Sequence, residues 1–208
     1  MRICFITNIY YPYHRGGAEQ VVKKTVEGLL LQQHEVIVIT ATPDKEMIER
    51  DGNLTIYRIR PNNIFFYTDA SEHSLLARVV WHVINIFNIS VASRVKKILQ
   101  QEEPEVVHTH NLMGLSFLIP GAIRKLHLRH VHTIHDVQLV EPSAIILKQH
   151  EHNWRYTGIA TRAYTYLMKT LMGRRTSSYR RHIFSSIFIV LGTFFQSPNV
   201  WCCAIRSR

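Results

Sequence analysis

Apolar and polar positions along this chain fall into alternating short runs and longer periodic stretches. Residues 3–7 (ICFIT) are an apolar-rich run with β-branched and aromatic members, the pattern of a strand buried on both faces of a parallel sheet. After a polar stretch, Ala18, Val21, Val22, Val26, Leu29 and Leu30 recur at helical spacing, with Lys23, Lys24 and Glu27 outside the stripe. That periodicity predicts a helix packed on the sheet, and 36–40 (VIVIT) predicts a second strand reached by a right-handed crossover.

The same alternation continues. Residues 42–53 are polar and turn-rich, 54–60 (LTIYRIR) read as a strand near the sheet edge ended by Pro61, and 62–68 as a loop with exposed aromatics. From 74 to 101 the helical period returns at Leu75, Leu76, Val79, Val83, Ile86, Phe87, Val91, Val95, Ile98 and Leu99, as one long helix or two in line with a break near Asn88. Strands follow at 105–109 (EVVHT) and 130–134 (HVHTI), separated by a helix over about 114–126 that is broken or capped near Pro120. Such regular alternation predicts an α/β fold, a Rossmann-like doubly wound parallel sheet. Past Pro142 the pattern weakens into basic helical stretches at 144–150 and 154–175, with a last strand at 186–190. Residues 191–208 show no helical or strand period, so the expectation is one domain over 1–190 and a poorly ordered tail.

Charge sharpens this division. The chain of 208 residues carries a net +10, yet up to Glu151 there are 16 Lys/Arg against 15 acids, and from His152 onward nine Lys/Arg and no acid. The basic excess belongs to the last quarter, where it serves as a solvated face or meets an anionic membrane surface, nucleic acid or a phosphorylated ligand. Cys4 lies in the first strand and Cys202 and Cys203 are adjacent, so no disulfide framework is expected and the compartment reads as reducing. The first apolar run gives way to polar residues without a cleavage signal. The longest apolar run, 187–191, is too short to span a bilayer, which leaves peripheral contact.

Candidate chemistry clusters at strand ends. Gly16 and Gly17 stand between the first strand and the first helix, where clear backbone and a helix N-terminus suit an anion such as a diphosphate. The full G-x-G-x-x-G spacing is missing, and a tight turn with Glu19 at the helix start explains the pair equally well. His14 and Arg15 add positive potential or are simply solvated. His108 and His110 can share one strand face, while His132 and His135, with Asp136, end the next strand. These residues make either a metal site that activates water or ordinary hydrogen-bonded histidines. No Ser or Cys sits in a nucleophile elbow, and no carboxylate pair has a glycosidase setting. Trp154, Tyr156, Tyr164 and Tyr166, interleaved with Arg155, Arg162 and Lys169, form a lipid- or nucleic-acid-facing surface or a core helix with a basic outer side.

Taken together, the opening strand, the YP…GGAE loop, QHEVIVIT, EVVHTHN and VHTIHD resemble, in order, the N-terminal domain of a family 4 glycosyltransferase of the GT-B class over about residues 1–190. The resemblance implies sugar transfer with retention from a nucleotide-sugar co-substrate to a carbohydrate or lipid-linked acceptor, with no obligatory metal or other cofactor and no nucleic acid partner. By the same carry-over, Gly16 and Gly17 face the donor diphosphate and His135 is the catalytic histidine contacting the transferred sugar. His110, Asn111 and Asp136 belong to the acceptor side. With the reducing compartment read from the cysteines, the expectation is a cytoplasmic protein whose basic helical segment after His152 suits peripheral attachment at the inner face of the membrane or a lipid-linked acceptor. Two departures stand out: Gln33 replaces the glycine expected before His-Glu-Val, and the family's C-terminal donor-binding domain does not follow residue 190. The expectation is therefore a truncated chain, inactive alone, whose tail is out of frame. The residues alone leave two other readings open, a stand-alone Rossmann-like binding module for a phosphorylated ligand and a metal-dependent hydrolase using His110 and His135.

Overall fold

A computed structural model describes residues 1–13, 16–135, 166–168, 170–171 and 204–207. Its sheet has seven strands: β1 (Arg2–Thr7), β2 (Glu35–Ala41), β3 (Met47–Asp51), β4 (Leu54–Ile59), β5 (Val106–Thr109), β6 (Arg129–Thr133) and β7 (Ala204–Ser207). Their spatial order is β3-β4-β2-β1-β5-β6-β7. The five central strands run parallel, and β3 and β7 lie antiparallel on the two edges. Helices α1 (Gly17–Leu31), α2 (Leu75–Ile86), α3 (Ile89–Glu102) and α4 (Ile119–Lys125) make the crossovers.

Alternation within the central strands builds both layers. Phe5, Val36, Val38 and Ile56 meet Val22 and Val26 of α1 on one face. Cys4, Ile6, Ile37, Ile39 and Val107 meet Val91, Val95 and Leu99 of α3 and Ile119 and Ile123 of α4 on the other. Successive strands lead away from β1 through β2 and β4 in one direction and through β5 and β6 in the other. The carboxyl ends of β1 and β5 therefore flank the reversal of strand order, where open α/β sheets form their crevice.

The structure corrects several sequence expectations. Residues 47–51, read as part of a turn-rich stretch, form the edge strand β3; its charged MIERD sequence suits an edge that takes backbone partners on one side only. The loop at 62–68 does not expose its aromatics as expected. Tyr67 begins a 3-10 turn and is buried with Ile9 and Trp81, against Phe65 and Phe66. The 74–101 segment is two helices, with Asn88 capping the second through its side chain to the Val91 N–H at 3.1 Å. Helix α4 starts at Ile119, with Pro120 in its first turn where the missing N–H costs nothing. Gly114, five residues earlier, sits in a turn at φ +90°. Within 191–208, residues 204–207 pair with the free edge of β6, a role that depends on backbone groups rather than on a side-chain period. The expected strand at 186–190 and the rest of the tail lie outside the described residues.

Gln33 stands at φ +61°. The His34 N–H donates to the Leu29 carbonyl at 3.1 Å and the Gln33 N–H to that of Leu30 at 2.9 Å, the bonding pattern that usually places glycine after a helix.

Candidate active-site cleft

The loops at the carboxyl ends of β1, β5 and β6 enclose a cleft of ≈ 320 Å³ lined by Asn8, Gly16 to Glu19, Tyr67, Asn111 and His135. Four of the sequence-selected residues, Gly16, Gly17, Asn111 and His135, thus meet in one place, although the chain separates them widely. Gly16 has extended backbone, and a Cβ on Gly17 would meet nothing within 4 Å. Neither glycine is demanded by the chain's own packing. Both keep the backbone at the start of α1 clear on the cleft side, where the first N–H groups lack intrahelical partners and the helix dipole favours an anion. Buried Glu19 partly occupies that role, accepting from the Gly16 N–H at 2.8 Å.

His110 lies elsewhere than expected. It is 2% exposed and sits behind His135 rather than on the cleft wall, with its Nδ1 2.7 Å from His135 Nε2. Burial, reinforced by His108 and His135, pushes the His110 imidazole down to about 2, so it is neutral at ordinary pH. One nitrogen of the pair donates and the other accepts. The rings of His108 and His110 lie 4.2 Å apart; His110 stacks on Phe5 and His108 meets it at a tilt. His108 is held by Thr133 Oγ1 at 2.7 Å, and burial lowers it to about 4.

His132 does not join this cluster. In register with Thr109 it projects to the opposite sheet face, its Nδ1 2.8 Å from Thr109 Oγ1. The same hydroxyl meets His130 Nε2 at 2.7 Å. Burial lowers His132 to about 3 and His130 to about 4. The five histidines therefore lie on two faces, His130 and His132 sharing Thr109 Oγ1 on one and the His110–His135 pair with Thr133-bound His108 beside it on the other, and among the described residues no group of three His, Cys, Asp or Glu could hold a metal ion. His110 and His135 bond to each other instead of converging on one point. His14, Arg15 and Asp136 lie outside the described residues.

Sequence reasoning missed Asn8 and Tyr67. Asn8 Nδ2 donates to the Tyr67 hydroxyl at 3.3 Å, joining the β1 loop to the 3-10 turn. A signal for Asn8 existed, because a polar residue at the carboxyl end of the first parallel strand faces the crevice. Tyr67 had none, since the contact that positions it is with Gly114: a Cβ there would lie 2.9 Å from Tyr67 Cδ1.

Comparison with known proteins follows this geometry. A family model described as Glycosyltransferase Family 4 matches residues 15–189. An uncharacterized 42.6 kDa protein in the cps region of Klebsiella pneumoniae is 30% identical over 149 residues, covering 71% of this chain and 40% of that protein. Among solved structures, the catalytic domain of starch synthase IV from Arabidopsis thaliana, bound to ADP and acarbose, has a TM-score of 0.42 at 13% identity, over 64% of this chain and 34% of its own. UDP-GlcNAc 2-epimerase from Methanocaldococcus jannaschii has a TM-score of 0.39 at 10% identity, over 82% and 37%. A synthase and an epimerase at this distance do not define a reaction. The chain spans 40% of the length of the Klebsiella relative.

Proposed function

The chain belongs to glycosyltransferase family 4, and on that premise we propose that it forms the acceptor-side half of a retaining, nucleotide-sugar-dependent glycosyltransferase. The observation that carries the proposal is the cleft itself, which gathers Gly16, Gly17, Asn111 and His135 at the reversal of strand order. Sugar transfer leaves negative charge on the departing diphosphate. Fixed N–H donors at the start of α1 stabilise that charge with little reorganisation during the reaction. His135 contacts the transferred sugar across the same cleft, with His110 behind it fixing the ring through the Nδ1 to Nε2 hydrogen bond. Asn111, with Asp136, receives the acceptor.

A second, donor-binding domain closes the cleft in this proposal, and the chain does not turn over without it. The protein works in the cytoplasm against the inner face of the membrane, needs no metal, and uses a carbohydrate or lipid-linked acceptor. The test joins this chain to the portion of the Klebsiella relative beyond the matched region and follows sugar transfer from a panel of nucleotide sugars. His135→Ala is expected to lower the rate on the order of 100-fold, the scale of losing a transition-state contact. An unchanged rate would remove His135 from the mechanism, and a product of inverted anomeric configuration would overturn retention.

A further inference from the structure

Glu19 is the acidic side chain among the described residues that line the cleft, whose other polar side chains are those of Asn8, Tyr67, Asn111 and His135. It is 7% exposed, and a glutamate is seldom buried to that extent without a charged partner. Among the described residues Glu19 has none. Lys23, one turn further along α1 and within reach by helical spacing, pairs instead with Glu27 at 3.7 Å and lies over the Tyr11 ring. The partner that Glu19 does have is the Gly16 N–H, which donates to Oε2 at 2.8 Å. Capping does not require the charge, because glutamine at the same position makes the same bond. The fold therefore holds a buried, unneutralised carboxylate inside the cleft, on the N–H group of the residue that opens α1.

In the free protein this carboxylate does what a bound phosphate would do: it sits at the positive end of the helix dipole and accepts a backbone N–H there. Its Oε2 would lie 3.8 Å from a Cβ on Gly16, so it covers the face that the missing side chain leaves clear. A diphosphate cannot take the Gly16 N–H while Glu19 keeps it, and two anions in one cleft repel. We propose that Glu19 is a built-in competitor of the diphosphate. It holds the Gly16 N–H in the free protein, yields it to the incoming ligand, and by reclaiming it after transfer hastens departure of the nucleoside diphosphate. The inference rests on the assignment of Gly16 and Gly17 to the donor diphosphate, and adds to it the group that limits how tightly the diphosphate is held.

The test is titration of the full chain with pyrophosphate, followed through the backbone amide resonances of Gly16 and Gly17 in isotope-labelled protein, beside the same titration of Glu19→Gln. Following those two residues separates the cleft from the basic segment after His152, which also attracts the probe. Glutamine keeps the capping bond and removes the charge. The variant is expected to bind pyrophosphate about tenfold more tightly, the scale of removing one repelling charge a few ångströms from the ligand. Equal or weaker affinity in the variant would overturn the proposal while leaving the assignment of Gly16 and Gly17 standing. Amides that respond in neither protein would overturn both. A thermal melt checks that the variant folds. Should it not, the Glu19 carboxyl carbon resonance of the parent reports instead: it is expected to move as pyrophosphate takes the Gly16 N–H, and a stationary resonance while the two amides respond would overturn the competition.

Discussion

Acidification should unfold this protein well above the range where its carboxylates titrate. His110 and His130 are buried and neutral, held down to about 2 and about 4, and half-buried His108 and His132 lie at about 4 and about 3. In the unfolded chain each returns to about 6.5. The unfolded state then binds more protons, so stability is complete above pH 6.5 and falls as the pH drops toward the folded-state values. Between pH 7.5 and 5 each such histidine removes about 2 kcal/mol. The two fully buried rings alone cost about 4 kcal/mol and all four about 8, against a typical stability of about 5–15 kcal/mol. The corresponding slopes run from about 2.7 to about 5.4 kcal/mol per pH unit. Urea unfolding followed by circular dichroism at a series of pH values measures that slope directly. His130→Gln should reduce it by close to one proton. A slope below about 1.4 kcal/mol per unit, one proton's worth, would refute the buried neutral histidines.

Two substitutions test the backbone. Gln33→Gly relieves a side chain held at φ +61° and should stabilise by about 1 kcal/mol, raising Tm by about 2–4 °C; an unchanged or lower Tm would mean that the chain does not make this turn. Gly114→Ala combines φ +90° with a Cβ 2.9 Å from the Tyr67 ring and should cost at least about 2 kcal/mol, read as a drop in the urea midpoint. A neutral result would contradict the packing that sets Tyr67 against the cleft.

Much of the architecture was legible because local pattern and global fold agree. Strands β1, β2 and β4 carry apolar runs with successive residues buried on both faces, β5 and β6 are short β-branched and histidine-bearing segments in the same alternation, and α1 carries one unbroken stripe. The break at Asn88 announced itself as a residue whose side chain can cap a helix. Gln33 was legible too, since only glycine meets a left-handed turn without cost. The polar β3 was not legible, because an edge strand needs backbone partners more than apolar side chains.

The sequence by itself determined the order of strands and helices, the glycine pair at the start of α1, and which histidines stand near strand ends. Those are local matters of periodicity and of backbone freedom. Tertiary structure alone decided the rest. Strand register sent His132 to one face and His108 to the other, and His110 came to lie behind His135 rather than on the cleft wall that Asn111 lines. The approach of Gly114 brought Tyr67 to the cleft. The period of α2 fixed that it has an apolar stripe, but a stripe has no inside until the helix is anchored, and Trp81 and Asn85 anchor it with the stripe facing out.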